Sequence, residues 1–228
     1  MTNSGLIPGT LYVVSTPIGN LKDITLRALE VLKAVDIIAC EDTRVTKRIL
    51  DHYQIKIQTV SYHQHSKFGK IDFLISRLQD GKNIALVSDA GTPGISDPGR
   101  LLVAAAAAKD IKVESVPGAS AVTAALTLSG FATDHFTFLG FLPHKKGRET
   151  LIRRIIESDH VVVFYESVHR IVKALEQLTA AGLTRQIVVA RELTKKFETV
   201  YRGTSEEVLR KITDDEIKGE FVIVVGDK

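Results

Sequence analysis

The sequence predicts two consecutive α/β domains, and three observations carry that prediction. Short apolar runs alternate with helix-period stretches through the first half. Several of those runs are apolar at every residue rather than at alternate ones. The second half returns to strand-like runs, some with too little chain between them for a helix. A strand that is apolar on both sides must be covered on both sides, which is the signature of a mostly parallel sheet under helices. At 228 residues, with 44% hydrophobic and 25% charged residues, the chain can bury a sizeable core, and its composition argues against disorder in any long stretch.

In the first domain, taken as 1–131, "LYVVST" (11–16), "DIIACE" (36–41), "QTVSYH" (58–63), "NIALVSD" (83–89) and "KVESVP" (112–117) read as strands. Helices are expected over 23–34, where Ile24, Leu26, Leu29 and Leu32 form an apolar stripe, and over 43–53, 67–80 and 99–109. "PGASAVTAALTLSG" supplies one more helix, with Gly130 as its C-cap. The character then changes, with Phe131, Phe136, Phe138 and Phe141 close together, and the boundary is placed here. The second domain, 132–228, has strands in "HFTFLGF", "HVVVFYES", "RQIVVARE", "ETVYRGT" and "GEFVIVVG", and helices at about 148–158, 169–181 and 205–213. No helix fits between 185–192 and 198–204, so these two pair as a hairpin.

The single cysteine, Cys40, lies inside an apolar run, so no internal disulfide exists and a reducing compartment fits. There is no basic-then-apolar leader at the start, and no apolar stretch approaches the roughly 20 residues of a membrane span. A cytoplasmic protein is expected. Net charge is +3 and the pI is near 8.9. The distribution is uneven: residues 142–202 hold 12 lysines and arginines against 7 carboxylates, which permits an anionic partner without demanding one.

The stretch "ALVSDAGTPGISDPGR" (85–100) begins as a strand and then breaks, with Gly91, Gly94, Gly99, Pro93 and Pro98 around Asp89 and Asp97. In an open α/β sheet, ligands sit beyond the carboxyl ends of the strands. Glycines there let a ligand approach the backbone, prolines fix the path, and aspartates accept from hydroxyl or ammonium groups. Neither a dinucleotide fingerprint nor a Walker loop is present. A rigid turn without a ligand would also account for this loop alone. Companion segments at other strand ends, "STPIGNLKD", "VPGASA", "FYES" and "VARE", favour a shared cleft.

In this order and at these spacings, "TPIGNLKDIT", "ACEDTR", "SDAGTPGISDPG", "VPGASA", "FYESVHR" and "ARELTK" resemble the bacterial 16S ribosomal RNA (cytidine-2′-O)-methyltransferases of the tetrapyrrole-methylase superfamily. The match runs from about residue 9 to the end of the sequence. Val168 departs from the usual proline of "FYESPHR", and relatives often carry a further small C-terminal segment that is not present here, which is expected to weaken RNA engagement.

The resemblance implies two α/β domains of tetrapyrrole-methylase type with the cofactor cleft between them, S-adenosylmethionine as cofactor, and a homodimer. Carried over by position, it implies that Thr16, Pro17, Asp89, Gly91, Thr92, Ser120 and Ala121 meet the cofactor, and that Tyr165, Ala190 and the region of Phe221 close its adenine side. The acceptor would be a cytidine ribose in the decoding region of 16S rRNA within the small ribosomal subunit. A ribose hydroxyl is a poor nucleophile while protonated. Glu166 is therefore expected as proton acceptor and Lys195 as electrostatic stabiliser or, if desolvated, as base. Glu41, Asp42 and Arg44 are further candidates, or a structural ion pair. The basic loop "PHKKGRE", with His144, Lys145, Lys146 and Arg148, suits phosphate contact, and Arg44 is grouped with it. His63 and His65 lack partners at zinc-ligand spacing, and no metal is expected. Two other readings stay open: a methyltransferase for a small molecule such as a tetrapyrrole, and an RNA-binding module without activity.

Overall fold

A computed structural model describes residues 9–62, 68–215 and 217–228. The chain divides into two units, the first ending at Ser120 and the second beginning at Ala121. The first contains β1 (Leu11–Val14), α1 (Leu26–Ala34), β2 (Ile37–Cys40), α2 (Thr43–His52), β3 (Gln58–Ser61), α3 (Phe68–Gln79), β4 (Ile84–Val87), α4 (Arg100–Ala107) and β5 (Val113–Val116). Its sheet has the order β3-β2-β4-β1-β5, and each of these pairings is parallel.

The unbroken apolar runs are explained by cover on both faces. Ile37, Ala39, Ile84, Leu86 and Leu11 pack with Leu74, Leu78, Leu102 and Ala106 of α3 and α4. The alternate residues Ile38, Cys40, Ala85, Val87, Val14 and Val116 pack with Ala28, Leu32 and Leu50 of α1 and α2. Helix starts are fixed locally: the Thr25 side chain accepts from Ala28 N–H, and that of Asp42 accepts from Arg44 N–H. The crossover after β1 runs toward the β3 edge and the crossover after β4 runs toward β5. The loops leaving these two neighbouring strands therefore part, which opens a crevice at their carboxyl ends.

The second unit contains α5 (Ala121–Ser129), β6 (Phe136–Phe141), α6 (Arg148–Glu157), β7 (Val161–Ser167), α7 (Ile171–Ala180), β8 (Ile187–Arg191), β9 (Thr199–Gly203), α8 (Ser205–Asp214) and β10 (Glu220–Val225). Its sheet order is β6-β7-β10-β8-β9, parallel between β6 and β7 and antiparallel elsewhere, and it includes the expected β8–β9 hairpin. Val162, Phe164, Ile187, Val189, Phe221 and Ile223 face α6, α7 and α8. The opposite face of β7, β8 and β10 is packed by α5.

That packing separates the structure from the sequence reading. The sequence pattern places α5 with the first domain, up to residue 131, yet Val122, Ala125 and Leu126 are buried and the helix lies on the second sheet, so the division falls at 120/121. An apolar stripe shows that a helix has a partner and leaves the partner unspecified.

Candidate functional site

Past the last ladder pairs of β1 and β4, the chain closes the crevice with its own backbone. Thr16 N–H donates to Gly91 O at 2.9 Å and Gly91 N–H donates to Thr16 O at 3.0 Å, an isolated antiparallel bridge beyond two parallel strands. The reversal it needs is supplied by Gly91, whose φ of +77° suits glycine. The Thr16 hydroxyl donates to Ser88 O at 3.1 Å. The Ser15 and Thr92 hydroxyls are 2.8 Å apart, and Thr92 Oγ1 also donates to Ala119 O at 3.3 Å. A Cβ on Gly118 would lie 2.9 Å from Ser15 Cβ, so the β5 exit passes flush against β1. Asp42 N–H donates to Asp89 Oδ1 at 2.9 Å, joining the end of β2 to the same assembly.

The strand ends of β1, β2, β4 and β5 thus form one tied surface. Thr16, Pro17 and Gly91 are buried within it, while Asp89, Thr92 and Ser120 are half-buried at its rim. Ala121 opens α5 and belongs to the second unit. Gly118, the glycine of the strand-end segment "VPGASA", helps to build this surface together with Ser15 and Ser88, whose bonds no motif in the sequence marks. The alternation that marks Val14 as core gives no sign that the next residue bonds to a loop 77 positions away.

Asp42 and Arg44 form a local pair with Nη2 to Oδ2 at 2.6 Å, and Asp42 also caps α2. The hydrogen bonds from the Arg44 side chain and backbone hold the Asp42 carboxyl down at about 2. Arg44 remains exposed, with its charge shared by this neighbour. Cys40 is fully buried, and burial pushes its thiol up. His63 and His65 lie outside the described residues.

The second unit places Glu166 where it cannot act as a base on a substrate. It is 1% exposed on the helix-side face of β7, and two arginines hold it: Arg148 Nη1 at 3.2 Å from Oε2 and Arg170 Nε at 2.8 Å from Oε1. The expectation of a catalytic proton acceptor is overturned, because a carboxylate shielded by two guanidiniums reaches no solvent-borne hydroxyl. Arg148 is corrected too. It is 4% exposed, so it is not a phosphate-contacting residue of the basic loop. The rest of that loop, His144, Lys145 and Lys146, is exposed.

Lys195 is likewise engaged: its Nζ lies 2.8 Å from Glu192 Oε1 and 2.9 Å from Glu220 Oε2. Burial pulls its pKa down, but the hydrogen bonds and charges of the two glutamates outweigh burial and leave the ammonium above its ordinary value. A lysine with a raised pKa does not serve as a base near neutral pH, so that expectation is withdrawn. For Glu192, burial pushes upward, and the hydrogen bonds from Lys195 and Glu220 N–H prevail and lower it. The turn that follows has left-handed Glu192 and Thr194, at φ +51° and +64°, a strained path for side-chain-bearing residues.

Tyr165 and Ala190 share the face of the sheet that α5 packs, with Tyr165 half-buried 5.1 Å from the Phe138 ring and Ala190 fully buried. Phe221 points the other way. It is paired across the ladder with Glu166 and Arg191 and is buried in the helix-side core. The Phe221 side chain is a packing group, and a ligand could meet this position only through backbone. Val168, where proline was expected, is partly buried against the same core.

The profile of the Tetrapyrrole (Corrin/Porphyrin) Methylases matches residues 10–209. The chain belongs to the tetrapyrrole methylase family. Among its relatives, "Ribosomal RNA small subunit methyltransferase I" of Synechocystis is 49% identical over 220 residues, covering 96% of this chain and 79% of the relative. The protein of the same name in Escherichia coli O157:H7 is 47% identical over 221 residues, covering 95% and 77%. Solved structures share the fold. A diphthine synthase aligns with TM-score 0.74 at 18% identity, covering 96% of this chain and 90% of its own. The uroporphyrin-III C-methyl transferase from Thermus thermophilus, complexed with S-adenyl homocysteine, aligns with TM-score 0.67 at 19% identity, covering 96% and 97%.

The Lys195 cluster gives a pH signature. Because Glu192 is depressed in the folded state, the stability it contributes is present above its unfolded value near 4.3 and is lost as pH falls through the folded value. Lys195→Met should cost about 1 kcal/mol or less near neutral pH, since Glu220 is exposed, and the cost should shrink below about pH 4. Urea unfolding of both proteins at pH 7 and pH 3.5 checks this, and an equal difference at both values would refute it.

Proposed function

We propose that this chain is an S-adenosylmethionine-dependent methyltransferase of ribosomal RNA, acting on the 2′-hydroxyl of a cytidine ribose in the decoding region of the 16S RNA of the small subunit. The observation that carries the reading is that relatives bearing the small-subunit methyltransferase name match about 95% of the chain at nearly half identity. The reading includes a homodimer, which sedimentation of the purified protein tests.

The first unit suits the cofactor. Its strand-end surface is preformed by backbone and hydroxyl bonds, and Gly118 and Gly91 make it possible: Ser15 fills the space where a side chain at Gly118 would stand, and the positive φ of Gly91 turns the loop back onto β1. Thr16, Pro17, Asp89, Gly91, Thr92 and Ser120 are assigned to hold it, with the Asp89 carboxylate at the rim for hydroxyl or ammonium groups. When bound, S-adenosylmethionine supplies a methyl group already activated by its sulfonium. What the chain must add is alignment of the acceptor oxygen and exclusion of water. His144, Lys145 and Lys146 are assigned to backbone phosphates, which fix register without reading sequence.

Transfer of tritiated methyl groups to small subunits from a strain lacking the modification, located by nuclease digestion to a 2′-O-methylcytidine, is the expected result. Transfer to a tetrapyrrole precursor with none to subunits would replace this reading by the small-molecule one. Gly118→Val drives a side chain into Ser15 and should weaken S-adenosylhomocysteine binding by about tenfold or more in calorimetry. Unchanged affinity would remove the strand-end surface from the cofactor site. Lys145→Ala with Lys146→Ala should lower subunit affinity and flatten the slope of log affinity against log salt by roughly 1.5, about 0.7–0.9 for each lost phosphate contact. An unchanged slope would place the RNA elsewhere.

A further inference from the structure

We infer that Glu166 is a positioning residue for the basic loop: one buried carboxylate, working through Arg148 and Arg170, fixes the path of His144, Lys145 and Lys146 and thereby sets how tightly the RNA is held. The inference rests on the reading of that loop as the phosphate-contacting element.

The loop emerges between two buried residues. Leu142 precedes it and is 1% exposed, Arg148 follows it and is 4% exposed, and His144 to Gly147 between them are exposed. Both ends return to the same carboxylate. On the entry side, Arg170 Nη1 donates to Leu142 O at 2.9 Å while its Nε faces Glu166 Oε1 at 2.8 Å and Ser167 Oγ at 3.2 Å. Arg148 Nη1 donates to Pro143 O and to Glu166 Oε2, each at 3.2 Å. On the exit side, Arg148 is itself the first residue of α6, its N–H donates to Lys145 O at 3.2 Å, and its Nε donates to Gln177 Oε1 at 2.7 Å. Glu166 is oriented in turn by Ser167 N–H, 2.9 Å from Oε1.

Without the carboxylate, the guanidiniums of nearly buried Arg148 and partly buried Arg170 would stand together uncompensated, and their mutual repulsion would loosen their hold on the two carbonyls. The arrangement is already short of negative charge, since two cations share one anion and Arg148 Nη2 is buried with no hydrogen-bond partner among the described residues. Adjacent lysines at the tip repel one another, and a loop that must be ordered on binding gives up affinity for that ordering. A stapled base removes that cost in advance. Loss of the staple therefore acts on RNA binding and leaves the methyl-transfer step and the cofactor surface of the first unit alone.

The test is a double-mutant cycle on the full chain with unmodified small subunits. Glu166→Gln should raise the KM for subunits about tenfold, with kcat and S-adenosylhomocysteine affinity within about twofold of wild type. In the Lys145→Ala/Lys146→Ala background the same change should raise KM by less than about twofold, because the contacts it acts through are gone. A further tenfold rise in that background, or a fall in kcat with KM unchanged, would overturn the inference. Should Glu166→Gln fail to fold, Arg170→Lys takes its place, since an ammonium keeps the charge beside Glu166 but cannot span Glu166, Ser167 and Leu142 together. Amide hydrogen exchange separates the two readings. If wild type transfers nothing to subunits, the functional reading fails; faster exchange over 144–148 in Glu166→Gln would still sustain the staple, and unchanged exchange would overturn it.

Discussion

The first unit is organised by what happens to backbone groups when two parallel strands stop pairing. Within the ladder, Leu11, Tyr12 and Val13 of β1 run beside Ile84, Ala85 and Leu86 of β4. Their crossovers leave in opposite directions, so the groups beyond would face a crevice without partners, a costly state for buried amides and carbonyls. The bridge between Thr16 and Gly91 resolves this by turning the loop after β4 back antiparallel against β1. Once the bridge is set, the Ser15 hydroxyl lies beside Thr92, Thr92 reaches Ala119, and the β5 exit lies flat against Ser15. The strand-end surface follows from strand order: a sheet in which β1 and β4 were not neighbours could not tie these four exits together.

The second unit meets a similar demand with charge instead of backbone pairing. The exit of β6 and the entry to α6 lie at one edge of a mainly antiparallel sheet, and the carbonyls of Leu142 and Pro143 are met there by side chains. Two arginines reach them, and a third group is needed to hold both cations in a confined space. Glu166 supplies it from the end of β7, the strand beside β6. Breaking a buried ion pair by removing one partner is far more damaging than never having built it, so Glu166, Arg148 and Arg170 act as a unit.

Much of the architecture was legible in the residue pattern because both sheets carry dense apolar runs. Strand β4, buried at every position, could only be a strand with cover on two sides, and the short spacer before β9 allowed only a hairpin. The strand-end loops were legible through their glycines and prolines. Three things were hidden, and each depends on contacts distant in sequence. Helix α5 was seen as a helix, but the sheet it covers is decided by where Val122 and Leu126 find apolar surface. Glu166 and Lys195 stood out as charges at strand ends, which is equally the place for a catalyst and for an internal clamp. Arg148 looked like one more cation of a basic loop, since burial of an arginine leaves no mark on its neighbours in the chain.

That last distinction changes where the positive field of the second unit lies. Counting residues 142–202 gives a clear excess of cations, yet many of them are committed to the protein. Arg148 and Arg170 hold Glu166, Arg185 donates to Gly226 O and Ile155 O, Arg191 donates to Lys218 O and the Tyr201 hydroxyl, and Lys195 lies between two glutamates. On α6 the exposed Arg153 and Arg154 sit between exposed Glu149 and Glu157, so charges of both signs offset each other along that surface. The loop from His144 to Gly147 has no carboxylate of its own, and the nearest one in the chain order, Glu149, lies on the helix beyond it. Charge that is neither buried nor offset is what a polyanion meets at long range, and the tip that the buried carboxylate holds in place presents two adjacent exposed lysines of that kind.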